Sequence, residues 1–149
     1  MQLAWELRQD PRVLILDRTN IRHLTGDVVG EPTGLVVADL SFISLTLVLP
    51  ALSAVSKSDA DFLLMVKPQF EVGREKLGAG GVVRDPALRK SAVLDVAMSA
   101  YDVGLGTKGV VASSLPGPAG NVEYFLWLKR GADEISESDL EKAIQIGPQ

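Results

Sequence analysis

At 149 residues the chain is long enough to bury a core and is read as a single domain. Its 46% hydrophobic content and mean hydropathy of +0.19 exclude disorder for most of its length. The absence of cysteine excludes disulfides and thiolate metal sites, and the single histidine, His23, leaves little for a protein metal centre. A reducing cytoplasm is compatible with this composition. The net charge of −4 makes the chain by itself a poor ligand for nucleic acid, where phosphate contacts dominate affinity.

The opening MQLAWELRQD is charged, unlike a secretory leader, and its Leu3, Ala4 and Leu7 keep helical spacing, which predicts a helix over residues 1–9. Arg12–Asp17, RVLILD, reads as a short strand ending in a carboxylate. Residues 19–32 form a loop broken by Gly26, Gly30 and Pro32. Leu35–Asp39 then reads as a strand, and a helix runs from about Ser44 to Ser56 with Leu47 and Ala51 on one face. Pro50 implies a kink or a late start. The stretch 35–55 is apolar enough to imitate a membrane span, but Asp39 and Pro50 interrupt it and its period changes midway.

A further apolar run, Phe62–Val66, ends at Lys67-Pro68. The glycine-rich stretch 71–86 is a lid-like loop; read as a phosphate cradle, it lacks any following Gly-Lys-Ser/Thr. Asp85 or Pro86 opens a helix to about Val103, with Leu88, Ala92, Val96 and Ala100 as its buried stripe, widened by Val93 and Ala97, and Gly104 ends it. Residues 108–112 form a strand, 113–120 a turn-rich loop, and Tyr124–Leu128 the last strand. Ser136 and Asp139 cap a final helix carrying Leu140, Ala143 and Ile144, and residues 146–149 fray. Trp5 and Trp127 are expected in the core. Alternating elements of this kind give an α/β fold with a mostly parallel sheet, and the two final strands, joined without a helix, suggest a reversed strand at one edge.

Three stretches place chemistry at strand ends. The unalternating run LVVAD is that of a strand buried on both faces, and its terminal Asp39 lies where open α/β sheets bind ligands. The plainer reading of Asp39 is a turn or capping carboxylate. Lys67 ends its strand in the same way. Glu123 precedes its own, so if that strand is reversed, Asp39, Lys67 and Glu123 meet at one end of the sheet. A purely structural ion-pair cluster is the other account of the trio.

LVVADLSFIS, LLMVKPQFEVG and LPGPAGNVEYFLWL together resemble the C-terminal part of the TlyA (hemolysin A) family, over about Gln2 to Arg130. These are FtsJ-like, S-adenosylmethionine-dependent ribose 2′-O-methyltransferases of ribosomal RNA. The resemblance implies a Rossmann-like sheet of order 3-2-1-4-5-7-6, of which Arg12–Leu16 would be the third strand and Leu35–Asp39 the fourth. The first two strands would lie upstream, as would a catalytic lysine, the glycine-rich cofactor loop and an RNA-binding module. It implies that Asp39, Lys67 and Glu123 are catalytic, and that Asn20, Asp39 and Leu40 approach the cofactor. An Asx turn is the alternative for Asn20. The implied partner is ribosomal RNA or a ribosomal subunit in the cytoplasm. The bare edge left by missing strands is met by closure of the Arg12 strand, by a homodimer, or by loose packing of residues 1–30, and the apolar Val13–Leu16 favours closure or the dimer. A different reading is a non-catalytic fragment retaining only an RNA- or protein-docking surface. A membrane-active hemolysin finds no amphipathic basic helix or span in support.

Overall fold

The computed structural model describes residues 3–148. Four strands form one sheet in the order β1-β2-β4-β3: β1 is Thr33–Ala38, β2 Ser56–Val66, β3 Leu105–Ala112 and β4 Tyr124–Arg130. β1 and β2 are parallel, with Ala38 beside Leu64. β4 is antiparallel to both neighbours, setting Tyr124 opposite Val66 and Ala112. The reversed strand is therefore interior, not at an edge as expected. It pairs with β2 on one side and β3 on the other, which gives backbone partners on both sides to a strand whose Tyr124, Leu126 and Leu128 are 0% exposed.

Alternation decides which face is covered. Phe62, Leu64 and Val66 of β2 join Tyr124, Leu126 and Leu128 of β4 in the core. Burying each such side chain stabilises by about 1.5–3 kcal/mol. The helices α3 (Leu49–Ala54), α4 (Pro86–Asp102) and α5 (Glu137–Ile146) contribute Leu49 and Leu52, Val93, Val96, Ala97 and Ala100, and Leu140 and Ile144. α4 starts where predicted: Asp85 accepts the Ala87 N–H at 2.8 Å and Pro86 supplies a pre-set φ. It ends at Gly104, whose φ of +85° turns the chain directly into β3. Ser136 caps α5 by accepting the Asp139 N–H. The helix predicted over 44–56 is divided: a 3₁₀ turn, Leu45–Leu47, precedes α3, and Pro50 lies in its first turn, so the late start was the correct alternative.

The opposite face of the sheet is open. Leu35 and Val37 are 61% and 68% exposed, and Val111, Leu63 and Trp127 also reach solvent. The run Leu35–Val37 was read as buried on both sides, but only one side is covered here. Trp127 and Trp5 are accordingly not core residues. The expected strand Arg12–Asp17 is also not formed. A strand needs a neighbour to receive its backbone bonds. Here α1 (Trp5–Gln9) and a turn at Pro11 are pinned by Arg8–Asp17 and Arg12–Asp10 ion pairs instead, and Leu14 stays 65% exposed. Direct closure of this segment onto β1 does not occur. A short helix, α2 (Gly26–Val29), leads on to β1. Met1 and Gln2 of the expected first helix, and Gln149 of the fraying tail, lie outside the described residues. Among the described residues no helix is long and apolar enough to cross a membrane.

Candidate active site

Asp39 follows the last residue of β1 and Lys67 the last of β2. Parallel pairing brings these ends together, and Lys67 Nζ lies 2.5 Å from Asp39 Oδ1. The same ammonium donates to Ser41 Oγ at 3.1 Å. The lysine side chain is only 11% exposed whereas that of Asp39 is 68% exposed, so a largely covered cation meets a carboxylate open to solvent. Pro68 stops β2 here, and its 3₁₀ turn, Pro68–Phe70, closes when the Phe70 N–H donates to Lys67 O at 2.9 Å.

Since Tyr124 lies opposite Val66, Glu123 sits at this same end of the sheet. It is 7% exposed, and among the described residues it forms no ion pair with Lys67 within 4.0 Å. Its carboxylate rests against the 113–120 loop: a Cβ on Gly117 would stand 2.7 Å from Glu123 Oε1. Thus two of the three expected residues are paired, and the third shares their end of the sheet but is held separately.

A second set of contacts joins the same two loops. Glu71 Oε2 accepts the Ser44 hydroxyl at 2.5 Å and Oε1 accepts the Leu45 N–H at 2.9 Å. Burial pushes the Glu71 carboxyl up from its ordinary value, these two hydrogen bonds oppose the shift, and the negative charge of Asp95 adds to it. Between the two sets, the Phe42 and Phe70 rings lie 5.0 Å apart and tilted by 51°. Phe42 holds φ of +63°, a left-handed conformation that costs a non-glycine residue about 1–2 kcal/mol, and its ring is 91% exposed.

An open cleft of about 640 Å³ adjoins this seam and is lined by Asn20, Arg22, Phe42, Ser44, Gln69 and Phe70, among others. Its size suits a small-molecule ligand. Of the residues expected on a cofactor, Asn20 borders the cleft, but its carbonyl accepts the Arg22 N–H as an Asx turn, leaving its amide N–H groups as the available donors. Asp39 is engaged by Lys67, and Leu40 packs half-buried against the core; neither lines the cleft. Gln69 also borders the cleft, and its Oε1 is buried without a hydrogen-bond partner. Among the described residues no cluster of three His, Asp or Glu side chains could hold a metal ion.

Ser41, Ser44, Gln69, Glu71 and Asn121 did not emerge from the sequence as site residues. Asn121 is 2% exposed; its Oδ1 accepts the Val83 N–H and its Nδ2 donates to Gly81 O, tying the glycine-rich loop to the start of β4. A polar residue three positions before a buried strand was the available signal. For Glu71 there was only its position four residues beyond Lys67.

The chain matches the FtsJ-like methyltransferase family over residues 1–130. It is 57% identical over 144 residues to the 16S/23S rRNA (cytidine-2′-O)-methyltransferase TlyA of Mycobacterium tuberculosis, a match covering 96% of this chain and 54% of that protein. It is 30% identical over 125 residues to hemolysin A of Brachyspira hyodysenteriae, covering 83% of this chain and 52% of that one. Among solved structures, a protein named as a hemolysin from Streptococcus thermophilus superposes with a TM-score of 0.89 at 33% identity, over 97% of this chain and 53% of that one. The chain thus spans about half the length of the curated relatives it matches. On this match the chain belongs to the FtsJ-like methyltransferase family.

Proposed function

We propose that this chain carries the catalytic end of an S-adenosylmethionine-dependent ribose 2′-O-methyltransferase of ribosomal RNA, acting in the cytoplasm. The observation that carries the reading is the Lys67–Asp39 contact at the carboxyl ends of two parallel strands, with Ser41 beside it. The cofactor supplies an electrophilic methyl group when bound. The cleft bordered by Asn20 and Phe42 fits the nucleoside end of such a ligand, through the amide donors of one and the exposed ring of the other.

Lys67 has three N–H bonds, and among the described residues Asp39 and Ser41 engage two. The third is available to a substrate hydroxyl and fixes its oxygen for in-line attack, where positioning supplies much of the rate. As the new C–O bond forms and the C–S bond breaks, its electrons staying with the sulfur, the hydroxyl proton is taken by Lys67 once its ammonium has passed a proton to Asp39, which is open to solvent. Glu123, buried nearby, adds negative charge that keeps a cation at this end of the sheet. Phe42 presents an exposed aromatic face of the kind on which an unstacked base rests.

Calorimetric titration of the chain with S-adenosylhomocysteine tests the binding half; saturable heat supports the reading, and silence favours a docking fragment without catalysis. For the chemistry, Lys67→Ala in a form that carries the upstream half of the relatives is expected to abolish methylation of ribosomal RNA while leaving cofactor affinity within about twofold. An active Lys67→Ala enzyme would remove the lysine from this role. We also propose that a second copy of this 149-residue chain pairs along the free edge of β1, where Leu35 and Val37 are exposed.

A further inference from the structure

We propose that Glu71 is a positioning residue whose carboxylate holds the loop after β1 against the turn after β2 and thereby keeps Asp39 and Ser41 on the Lys67 ammonium. The geometry is that of two short tethers joined at both ends. On one tether Asp39 and Ser41 are followed by Ser44, three residues beyond Ser41. On the other, Lys67 is followed by the single 3₁₀ turn Pro68–Phe70 and then by Glu71, which caps it by donating its N–H to Pro68 O at 3.0 Å. Lys67 joins the tethers at one end, through Asp39 at 2.5 Å and Ser41 at 3.1 Å. Glu71 joins them at the other, through the Ser44 hydroxyl at 2.5 Å and the Leu45 N–H at 2.9 Å. The Phe42–Phe70 ring contact lies between.

The first junction cannot order the loop alone. Asp39 is 68% exposed, and an exposed carboxylate pairing with a lysine gains little against side-chain entropy. Phe42 adopts a left-handed backbone that persists only where its surroundings impose it. The loop therefore needs a fastening on the far side of Phe42, and Glu71 provides it. Both of its oxygens are used, and Ser44 and Leu45 are the N-cap and first residue of the 3₁₀ turn that leads into α3, so the carboxylate also satisfies an otherwise open helical N–H. The charged and polar groups acting on Glu71 are Ser44 and Leu45 from the β1 loop and Asp95 from α4, and no cation faces it in these contacts. A partly buried carboxylate that is hydrogen-bonded at both oxygens, with no cation among these contacts, is better explained by positioning than by stability.

As a role in methyl transfer, this rests on the function proposed above; as geometry it does not. In the 149-residue chain, the Lys67 ammonium protons are followed by ¹⁵N NMR at low temperature, and amide exchange is followed over residues 41–47. Glu71→Ala is expected to accelerate both by about tenfold or more while global unfolding remains cooperative. Glu71→Gln, which keeps an acceptor for Leu45 and can donate to Ser44, is expected to restore most of the protection. Ser44→Ala, which removes one of the two bonds, should lie between. Unchanged Lys67 exchange in a folded Glu71→Ala or Ser44→Ala chain overturns the proposal, and so does Glu71→Gln behaving like Glu71→Ala. In a longer form that methylates ribosomal RNA, Glu71→Ala should lower kcat by about a hundredfold with KM for the cofactor unchanged. If that form is inactive with Glu71 intact, the methyltransferase reading fails while the exchange result still decides the positioning role.

Discussion

Burial raises the Glu71 carboxyl above its ordinary value of 4.5, so the folded protein holds that proton more tightly than the unfolded chain. The stability this contributes is complete below pH 4.5 and is lost as pH rises through the folded value. Asp61 has the opposite sign. The Trp127 indole N–H, donating at 2.8 Å, is the main influence that lowers its carboxyl below the ordinary 3.8, with Lys129 assisting. Its contribution is present above pH 3.8 and is lost as pH falls below that. Urea unfolding between pH 3 and pH 7 should therefore show that Glu71→Gln flattens the fall in stability on the alkaline side of 4.5. Asp61→Asn should flatten the fall on the acid side of 3.8. A Glu71→Gln protein whose pH profile parallels the parent's above pH 4.5 would contradict the assignment. At this scale Asp39 and Lys67 were legible because a charge ending an apolar run has few places to go. Glu71 was not, since nothing in its neighbours says that a loop 26 residues upstream will offer a hydroxyl and an N–H.

Among the elements, the link between the glycine-rich loop and β4 depends on one side chain. Asn121→Ala leaves the Val83 N–H and Gly81 carbonyl without their partner and should cost about 1–3 kcal/mol, measured by chemical denaturation. Cleavage within residues 78–83 by a nonspecific protease should become faster in the same variant. Asp85→Ala removes the cap of α4 and should cost about 1 kcal/mol. Gly117→Ala places a methyl group against the Glu123 carboxylate and should perturb that residue before it affects global stability. α4 and α5 were readable nearly to the residue, because caps, proline at the first turn and glycine at the end are local devices. The Arg12–Asp17 segment was misread for a complementary reason. Its composition suits a strand, but strand formation depends on a neighbour, and its charges pair with α1 and the following turn instead.

For the molecule as a whole, the open sheet face and the net charge of −4 make separate predictions. Leu35, Val37 and Val111 are exposed on strands, and β1 has an unpaired edge. Size exclusion with light scattering should show association that rises with concentration and is weakened by Val37→Lys. A chain that stays monomeric throughout would end the pairing proposal. Amides 14–16, which join no ladder, should exchange quickly. RNA retention on filters at physiological salt should be no tighter than the about 10⁻⁴–10⁻⁶ M of non-specific binders.

The amino-acid sequence by itself determined the alternation of strands and helices, the capped ends of α4 and α5, and the presence of Asp39, Lys67 and Glu123 at strand ends. Each depends on periodicity or on signals a few residues apart. Only the tertiary structure decided that one face of the sheet stays open and that Glu71 joins the two loops bearing the Lys67–Asp39 pair. Those outcomes depend on which distant backbone receives each hydrogen bond and which surface covers each apolar side chain, and short-range pattern carries neither.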